Sequence, residues 1–180
     1  MKKTLVTLAL GMACNSAFAA DETGPLNFYG NIYGGGTCPI EVVDPRSGVI
    51  PKVSLGNFTN KYFTTSGTAT PDVAFALRVT PGDGCVIPPD AKTTVTYVPL
   101  SGIVGTNLYG IRRGPVTGLG VAIKDRNHTK VVPNVASIEY DLYESLPTDM
   151  IFHASYESFE DEVTGQGLAE AEVTFVVSLP

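Results

Sequence analysis

The sequence predicts an all-β protein, a single Greek-key sandwich of immunoglobulin type. Charged residues make up only 17% of the chain, whereas 19 Gly and 13 Pro residues favour strands joined by turns. Apolar and polar residues alternate with period two from one end to the other, and no segment shows a sustained helical period. Seven to nine short strands in about 160 residues are typical of such a sandwich.

The N-terminus has the pattern of a secretory signal. Within residues 2–19, two lysines precede an apolar run and a stretch of small residues. A basic region, an apolar region and an A-x-A site in this order predict cleavage between Ala19 and Ala20. A lipoprotein signal at Cys14 is the alternative, but Gly11 stands where such a signal has leucine. We therefore expect residues 1–19 to be a signal peptide.

Each predicted strand alternates apolar and polar residues and is bounded by residues that favour turns. We expect strands at Leu26–Tyr33, Ile40–Val43, Gly48–Leu55, Val73–Val79, Thr93–Val98, Gly118–Lys124, Ser137–Tyr143, Met150–Tyr156 and Ala169–Leu179. The turn signals between them are Asp44-Pro45, Pro81–Gly84, Pro88–Asp90, Asp125–Asn127 and Leu146–Asp149. No linker or internal repeat divides the chain after the signal, so we expect one domain.

The first predicted strand carries its apolar residues on one face and is followed by glycines. Leu26, Phe28, Gly30 and Ile32 share that face, and Gly34–Gly36 would form a flexible tether. An ordinary first strand with a glycine hinge is one interpretation. The other is a strand held away from its own domain and offered to the sheet edge of another molecule.

The last predicted strand alternates more regularly than any other. One face carries Gly167, Ala169, Ala171, Val173, Phe175, Val177 and Leu179. In sequence order no further strand follows that could pair with it. A plain edge strand and an open acceptor edge are both consistent with this pattern.

The remaining composition argues against several functions. The net charge is -6, and no run of Lys or Arg follows residue 3, which argues against a nucleic-acid partner. His128 and His153 stand in dissimilar contexts without neighbouring ligand or triad residues. The acidic run Glu157, Glu160–Glu162 lacks the spacing of a calcium loop and predicts a solvated turn. We expect no enzyme, no metal and no cofactor.

Signal cleavage would leave two cysteines, Cys38 and Cys85. In an exported chain such a pair predicts one disulfide. Half of a zinc site is the alternative, but no Cys or His lies at ligand spacing from either residue.

These features together resemble one protein family. The segment L-N-F-Y-G-N-I before Cys38 resembles the N-terminal extension of chaperone–usher fimbrial subunits, the pilins of type 1 and P pili. The C-terminus is similar to the final strand of that family, which begins at a glycine fourteen residues from the end, here Gly167. Further motifs in matching order are V-S-L-G at Val53–Gly56, F-A-L at Phe75–Leu77, G-L-G-V-A-I-K-D at Gly118–Asp125 and F-H-A-S-Y at Phe152–Tyr156.

The resemblance implies a fold and a mode of assembly. Family subunits are immunoglobulin-like sandwiches that lack their final strand and receive it from outside. The resemblance implies that residues 20–37 are a donor-strand extension and that residues 38–180 are the pilin domain. The residues of the extension that would enter a neighbouring subunit are Leu26, Phe28, Gly30 and Ile32. The acceptor groove, where the chaperone also docks, would involve Gly167, Val173, Phe175, Val177 and Leu179.

The implied partners are a periplasmic chaperone, an outer-membrane usher and neighbouring subunits, with export through the periplasm to a cell-surface fimbrium. Three departures from the family pattern favour a minor subunit. Leu179 replaces an aromatic residue, and Arg78–Gly84 separates the F-A-L strand from Cys85. The spacing from Gly30 to Cys38 is about one residue longer than in the family. A small fimbria-like adhesin that binds a host receptor through a sandwich face, and a self-complete secreted domain, are the alternatives.

Overall fold

The structure, a computed structural model, describes residues 38–82, 84–112 and 114–179. The secondary structure of these ranges consists of ten strands and one short 3-10 helix, Asn60–Tyr62. The strands are β1 (Ile40–Asp44), β2 (Gly48–Val49), β3 (Val73–Val79), β4 (Lys92–Pro99), β5 (Ile103–Val104), β6 (Leu108–Gly110), β7 (Leu119–Lys124), β8 (Tyr140–Asp141), β9 (Thr148–Ser158) and β10 (Val173–Ser178). Among the helices of this part of the chain, none is both long and apolar enough to cross a membrane.

The strands form two antiparallel sheets. The larger has seven strands in the order β2-β1-β3-β9-β7-β6-β5, and the smaller has three in the order β10-β4-β8. The predicted all-β class is confirmed. Because β4, β8 and β10 form the smaller sheet and the strands between them in sequence belong to the larger one, the chain crosses between the sheets several times, as in Greek-key sandwiches.

Aromatic side chains from both sheets fill the space between them. Phe75 of β3 lies opposite Phe152 of β9 in the strand register, and their rings stack at a centroid distance of 5.9 Å. Tyr97 of β4 meets the Phe152 ring edge-on at 5.2 Å, and Tyr140 of β8 lies at the same distance from it. Such pairs contribute about 0.5–1.5 kcal/mol each beyond the burial of their area. Phe152 therefore joins the two sheets.

Cys38 and Cys85 form the predicted disulfide, with their Cα atoms 4.6 Å apart. The bond joins the residues before β1 to the loop between β3 and β4, across a sequence separation of 47. In the chain-entropy model a loop of this size contributes about 4 kcal/mol to stability. The bond fixes the end of the sandwich at which β1 begins.

The predicted strands that contribute most to the core are found at or near their predicted bounds. Val73–Val79 is confirmed without change, and the central strands β4, β7 and β9 differ from their predictions by one or two residues at an end. The predicted strand Ser137–Tyr143 shortens to the two residues of β8. The short strands β5 and β6, in a glycine-rich stretch, were not predicted. The first prediction, Leu26–Tyr33, lies outside the described residues.

The prediction of one strand over Gly48–Leu55 is wrong beyond its first two residues. β2 pairs with β1 at Val49, and the amide of Ile50 still donates to the carbonyl of Val42 at 3.0 Å. The next residue is Pro51, which has no N–H to continue the ladder. The chain therefore leaves the sheet, although Val53 and Leu55 remain packed against the core.

We expect the hydroxyl of Tyr97 to be dispensable for stability. It is buried without a hydrogen-bond partner in the described part of the chain, whereas the hydroxyl of Tyr140 donates to the carbonyl of Ile151 at 2.8 Å. Because an unsatisfied buried hydroxyl is unfavourable, Tyr97→Phe should leave the free energy of unfolding unchanged or raise it by about 1 kcal/mol.

Tyr140→Phe is the matched control and should lower the free energy of unfolding by about 1 kcal/mol, because it removes a satisfied bond. Urea unfolding of both variants measures the difference. Equal losses in the two variants would contradict the assignment of an unpaired hydroxyl at Tyr97.

Candidate functional site

The last strand, β10, has a neighbour on one side only among the described strands. It pairs antiparallel with β4 from Val173, opposite Pro99, to Ser178, opposite Thr94. Before β10, a bridge between Ile111 and Ala171 continues the pairing on that same side. The smaller sheet therefore has β10 as its edge. An edge strand presents backbone donors and acceptors to whatever lies beside it.

The inward face of this edge strand is apolar and incompletely covered. Val173, Phe175, Val177 and Leu179 pack against the core but are only partly buried. On the neighbouring strand β4, the inward residue Val95 is 0% exposed. Since both strands lie over the same core, the difference locates a strip of core that β10 leaves partly uncovered.

A second wall meets this strip near the start of β10. Val53 and Leu55 pack against the same core cluster as the inward residues of β10. The ammonium of Lys52 contacts the carboxylate of Glu170 at 2.8 Å, which connects this segment to the residues just before β10. We refer to the partly uncovered strip beside residues 169–179, with Lys52–Leu55 near its start, as the groove.

Charged side chains lie around the start of β10. The guanidinium of Arg112 donates to Glu172 at 3.1 Å, and its Nη1 lies 3.8 Å from Glu170. Lys52, Arg112 and Glu172 are well exposed, so each pair contributes at most about 1 kcal/mol. These pairs therefore add little to the stability of the fold.

Four of the five predicted acceptor residues lie together on the inward face of the strand: Val173, Phe175, Val177 and Leu179. Gly167 lies apart from them. It is exposed, with φ +142°, and a Cβ there would come within 2.8 Å of Pro115 Cγ. Glycine at 167 is therefore explained by backbone conformation and by the close approach of Pro115.

The predicted donor residues Leu26, Phe28, Gly30 and Ile32 lie outside the described residues. The second wall and the charged contacts around Glu170 were not predicted as part of a site. The V-S-L alternation at Val53–Leu55 could have indicated the wall, because it places two apolar side chains on one face.

The histidines, which the sequence separates, meet in the structure. The rings of His128 and His153 stack at a centroid distance of 4.1 Å, and Nδ1 of His128 lies 3.1 Å from the carboxylate of Asp72. Lys124 contacts the same carboxylate at 2.7 Å. The ring planes are inclined by only 28°, so in-plane nitrogen lone pairs do not converge on one point as metal ligands would. In the described ranges no group of three or more His, Cys, Asp or Glu residues could hold a metal ion.

The predicted solvated acidic turn is correct only in part. Glu160, Asp161 and Glu162 are exposed after β9. Glu157 belongs to β9 itself, where its carboxylate accepts a bond from Lys130 at 2.6 Å. The sequence analysis grouped Glu157 with Glu160–Glu162 in one turn. Strand β9 continues through Ser158, so Glu157 belongs to the strand.

The architecture defines the class of protein. The P pilus rod subunit PapA superposes on this chain with a TM-score of 0.61 at 11% identity, over 79% of this chain and 99% of PapA. A chaperone–usher pilus structure superposes with a TM-score of 0.60 at 12% identity, over 90% of this chain and 98% of its own. The fold is therefore the immunoglobulin-like sandwich of pilins.

The sequence comparison defines the family. Residues 26–179 match the family described as Fimbrial protein. The fimbrial-like protein FimF of Salmonella typhimurium is 28% identical over 143 residues, which cover 79% of this chain and 76% of FimF. This chain belongs to the fimbrial protein family.

We expect the ionisation of Asp72, which contacts Lys124 and His128, to make the free energy of unfolding depend on pH in the acid range. Burial raises the pKa of Asp72, but hydrogen bonds from Lys124 and His128 outweigh burial, so the pKa lies below its ordinary value. A lowered pKa stabilises the fold above the unfolded-state value of about 3.9 and ceases to do so as the pH falls through the folded-state value. Asp72→Asn should therefore lower the free energy of unfolding at pH 7. In this variant the free energy of unfolding should also fall less steeply than in the parent below about pH 4.

Urea unfolding between pH 2.5 and 7 measures this difference. Lys124→Met removes the cation that pairs with Asp72. It should reproduce most of the weaker pH dependence of the free energy of unfolding. An Asp72→Asn curve that runs parallel to that of the parent through the acid range would contradict the assignment.

Proposed function

We propose that this protein is a structural subunit of an adhesive fimbria that polymerises by donor-strand exchange. The groove of one subunit accepts the N-terminal segment Leu26–Ile32 of the next. The observation that supports this most is the one-sided pairing of β10 together with its partly uncovered apolar face. One extended segment beside β10 would pair with the backbone edge and cover the core strip at once.

The family match supports a role for both ends of the chain. It begins at residue 26, where the proposed donor segment begins, and it extends to residue 179, at the end of the groove. Leu26, Phe28 and Ile32 would bury their side chains in the groove, at about 1.5–3 kcal/mol each. Gly30 would occupy the shallow position at which a side chain clashes.

An uncovered apolar strip beside a strand edge favours aggregation. A periplasmic chaperone that lends a strand to the groove would prevent this until an outer-membrane usher delivers the next subunit. The corresponding organisation of the chain is a signal peptide (residues 1–19), a donor extension with its tether (20–37) and a pilin domain (38–180). The departures from the family pattern near Leu179 and Cys85 favour a minor subunit of the fimbrium. The subunit would reach the fimbrium by export through the periplasm.

The groove predicts opposite outcomes for two adjacent residues of β10. Phe175 points inward and is partly buried, whereas Val176 points outward and is 51% exposed. Phe175→Ser should lower the soluble yield in the presence of the chaperone severalfold, because a strand-filled groove loses about 1.5–3 kcal/mol of apolar burial. Val176→Ser should keep the parental yield.

Soluble periplasmic protein is measured with and without the coexpressed chaperone. For the parent, we expect solubility to depend on the chaperone. A parent that is soluble and monomeric without it would contradict the proposal, as would equal yields for the two variants.

The donor segment predicts a second pair of outcomes. Gly30→Leu adds bulk to the face that would enter the neighbour, whereas Asn31→Leu adds the same bulk to the opposite face. We expect Gly30→Leu to form the chaperone complex normally but to fail to deliver its strand, so that it is lost from fimbriae.

Chaperone co-purification and immunoblots of sheared fimbriae measure the two steps separately. Asn31→Leu should be incorporated like the parent. Normal incorporation of Gly30→Leu would show that Gly30 does not occupy the shallow position of the groove.

A further inference from the structure

Every second carbonyl along the edge strand points away from β4. The amide of Leu100 donates to the carbonyl of Glu172 at 2.9 Å, and the amide of Arg112 donates to that of Glu170 at 2.6 Å. Because successive carbonyls of an extended strand point to opposite sides, those of the odd-numbered residues from 169 to 177 point to the open side, on which no described strand lies. A donor strand would pair with these carbonyls.

The first carbonyl of this series is already bonded within the same chain. The hydroxyl of Tyr156 donates to the carbonyl of Ala169 at 2.6 Å. Tyr156 belongs to β9 in the larger sheet, so its side chain crosses from that sheet to the segment that leads into β10. Both residues also pack against one small core cluster, which consists of Phe63, Leu119 and Val163. The start of the groove is therefore tied to the larger sheet.

The phenol of Tyr156 is held in this position by its own backbone. The amide of Thr70 donates to the carbonyl of Tyr156 at 2.9 Å, and the amide of Tyr156 donates to the hydroxyl of Thr70 at 3.0 Å. On its other side, Tyr156 lies opposite Val121 in the ladder between β7 and β9. Burial, with a smaller contribution from the carboxylate of Glu170, raises the pKa of Tyr156. The hydroxyl is thus a fixed donor that stays protonated at neutral pH.

We propose that Tyr156 is a positioning residue that ends the acceptor edge, so that a donor strand pairs as far as Ala171 and stops before Ala169. The proposal rests on the donor-strand function above. The Tyr156 hydroxyl occupies the carbonyl of Ala169, so a donor amide directed at that carbonyl would have to share the oxygen or displace the hydroxyl. The next open carbonyl, that of Ala171, marks the limit of pairing.

The sequence of the donor segment is consistent with an end at this point. Phe175 is the largest inward residue of β10, and Gly30 is the donor residue that fits opposite it. A donor antiparallel to β10, as all strand pairs in the described residues are, continues from there toward the start of the groove. In this register the facing pairs are Gly34 with Ala171 and Gly36 with Ala169. The glycine tether therefore begins where the edge closes, and its conformational freedom lets the chain leave the groove there.

Hydrogen exchange of a bound donor peptide tests this end point. The mature chain in its chaperone complex is incubated with a synthetic peptide of residues 24–37 that carries nitrogen-15 at Gly34 and Gly36. With the parent chain, the amide of Gly34 should be protected and that of Gly36 should exchange freely. Tyr156→Phe keeps the ring and frees the carbonyl of Ala169. Exchange at Gly36 should then slow roughly five- to tenfold, the effect of one added hydrogen bond.

Tyr109→Phe is the matched control, because the hydroxyl of Tyr109 donates to a carbonyl outside the groove, that of Val131, at 3.2 Å. It should leave the exchange of Gly36 as in the parent complex. Equal exchange of Gly36 with the parent chain and with Tyr156→Phe would overturn this inference and leave donor-strand exchange standing, as would equal slowing in the two variants. Failure of the peptide to bind any of the three chains would overturn both.

Discussion

The candidate site depends on a single constraint, the one-sided pairing of β10. This strand must present its apolar side chains to the core, because that is the only way its alternation fits the sandwich. Its backbone finds β4 on one side, and the described residues offer no strand on the other. The unpaired backbone edge and the uncovered apolar strip lie side by side along the same line. On the proposed function, one extended segment would cover both.

The rest of the sandwich is held independently of that edge. β3 and β9 pair along the whole of Val73–Val79, and the stacked rings of Phe75 and Phe152 lie in this ladder. The disulfide fixes the adjoining end of β1. Strong interactions are thus concentrated in the larger sheet, while β10 is attached to the smaller one. This distribution lets a defined scaffold coexist with an edge strand that is paired on one side only among the described strands.

The sequence predicted what depends on local alternation and missed what depends on distant contacts. Val73–Val79 was predicted without error because its apolar residues recur every second position and turn residues bound it. The strand over Gly48–Leu55 was overestimated because the alternation continues through Pro51, which ends the backbone ladder. The stacking of His128 and His153 could not be foreseen, because the pairing of β7 with β9 brings the turn after β7 against β9, and no sequence spacing relates the two residues. Gly167 fits the family pattern, but its contact with Pro115 is visible only in three dimensions.

The side chains of the groove suggest why a donor segment would need glycine at one position. The inward residues grow from Ala169 and Ala171 through Val173 to Phe175 and become smaller again at Val177 and Leu179, so the floor of the groove is highest at Phe175. A donor that runs antiparallel with the same two-residue period can place Gly30 opposite Phe175, with Ile32 nearer the alanines. Facing surfaces pack best when large residues meet small ones. On the proposed function, the order of residue sizes in the groove would set the register of the donor strand.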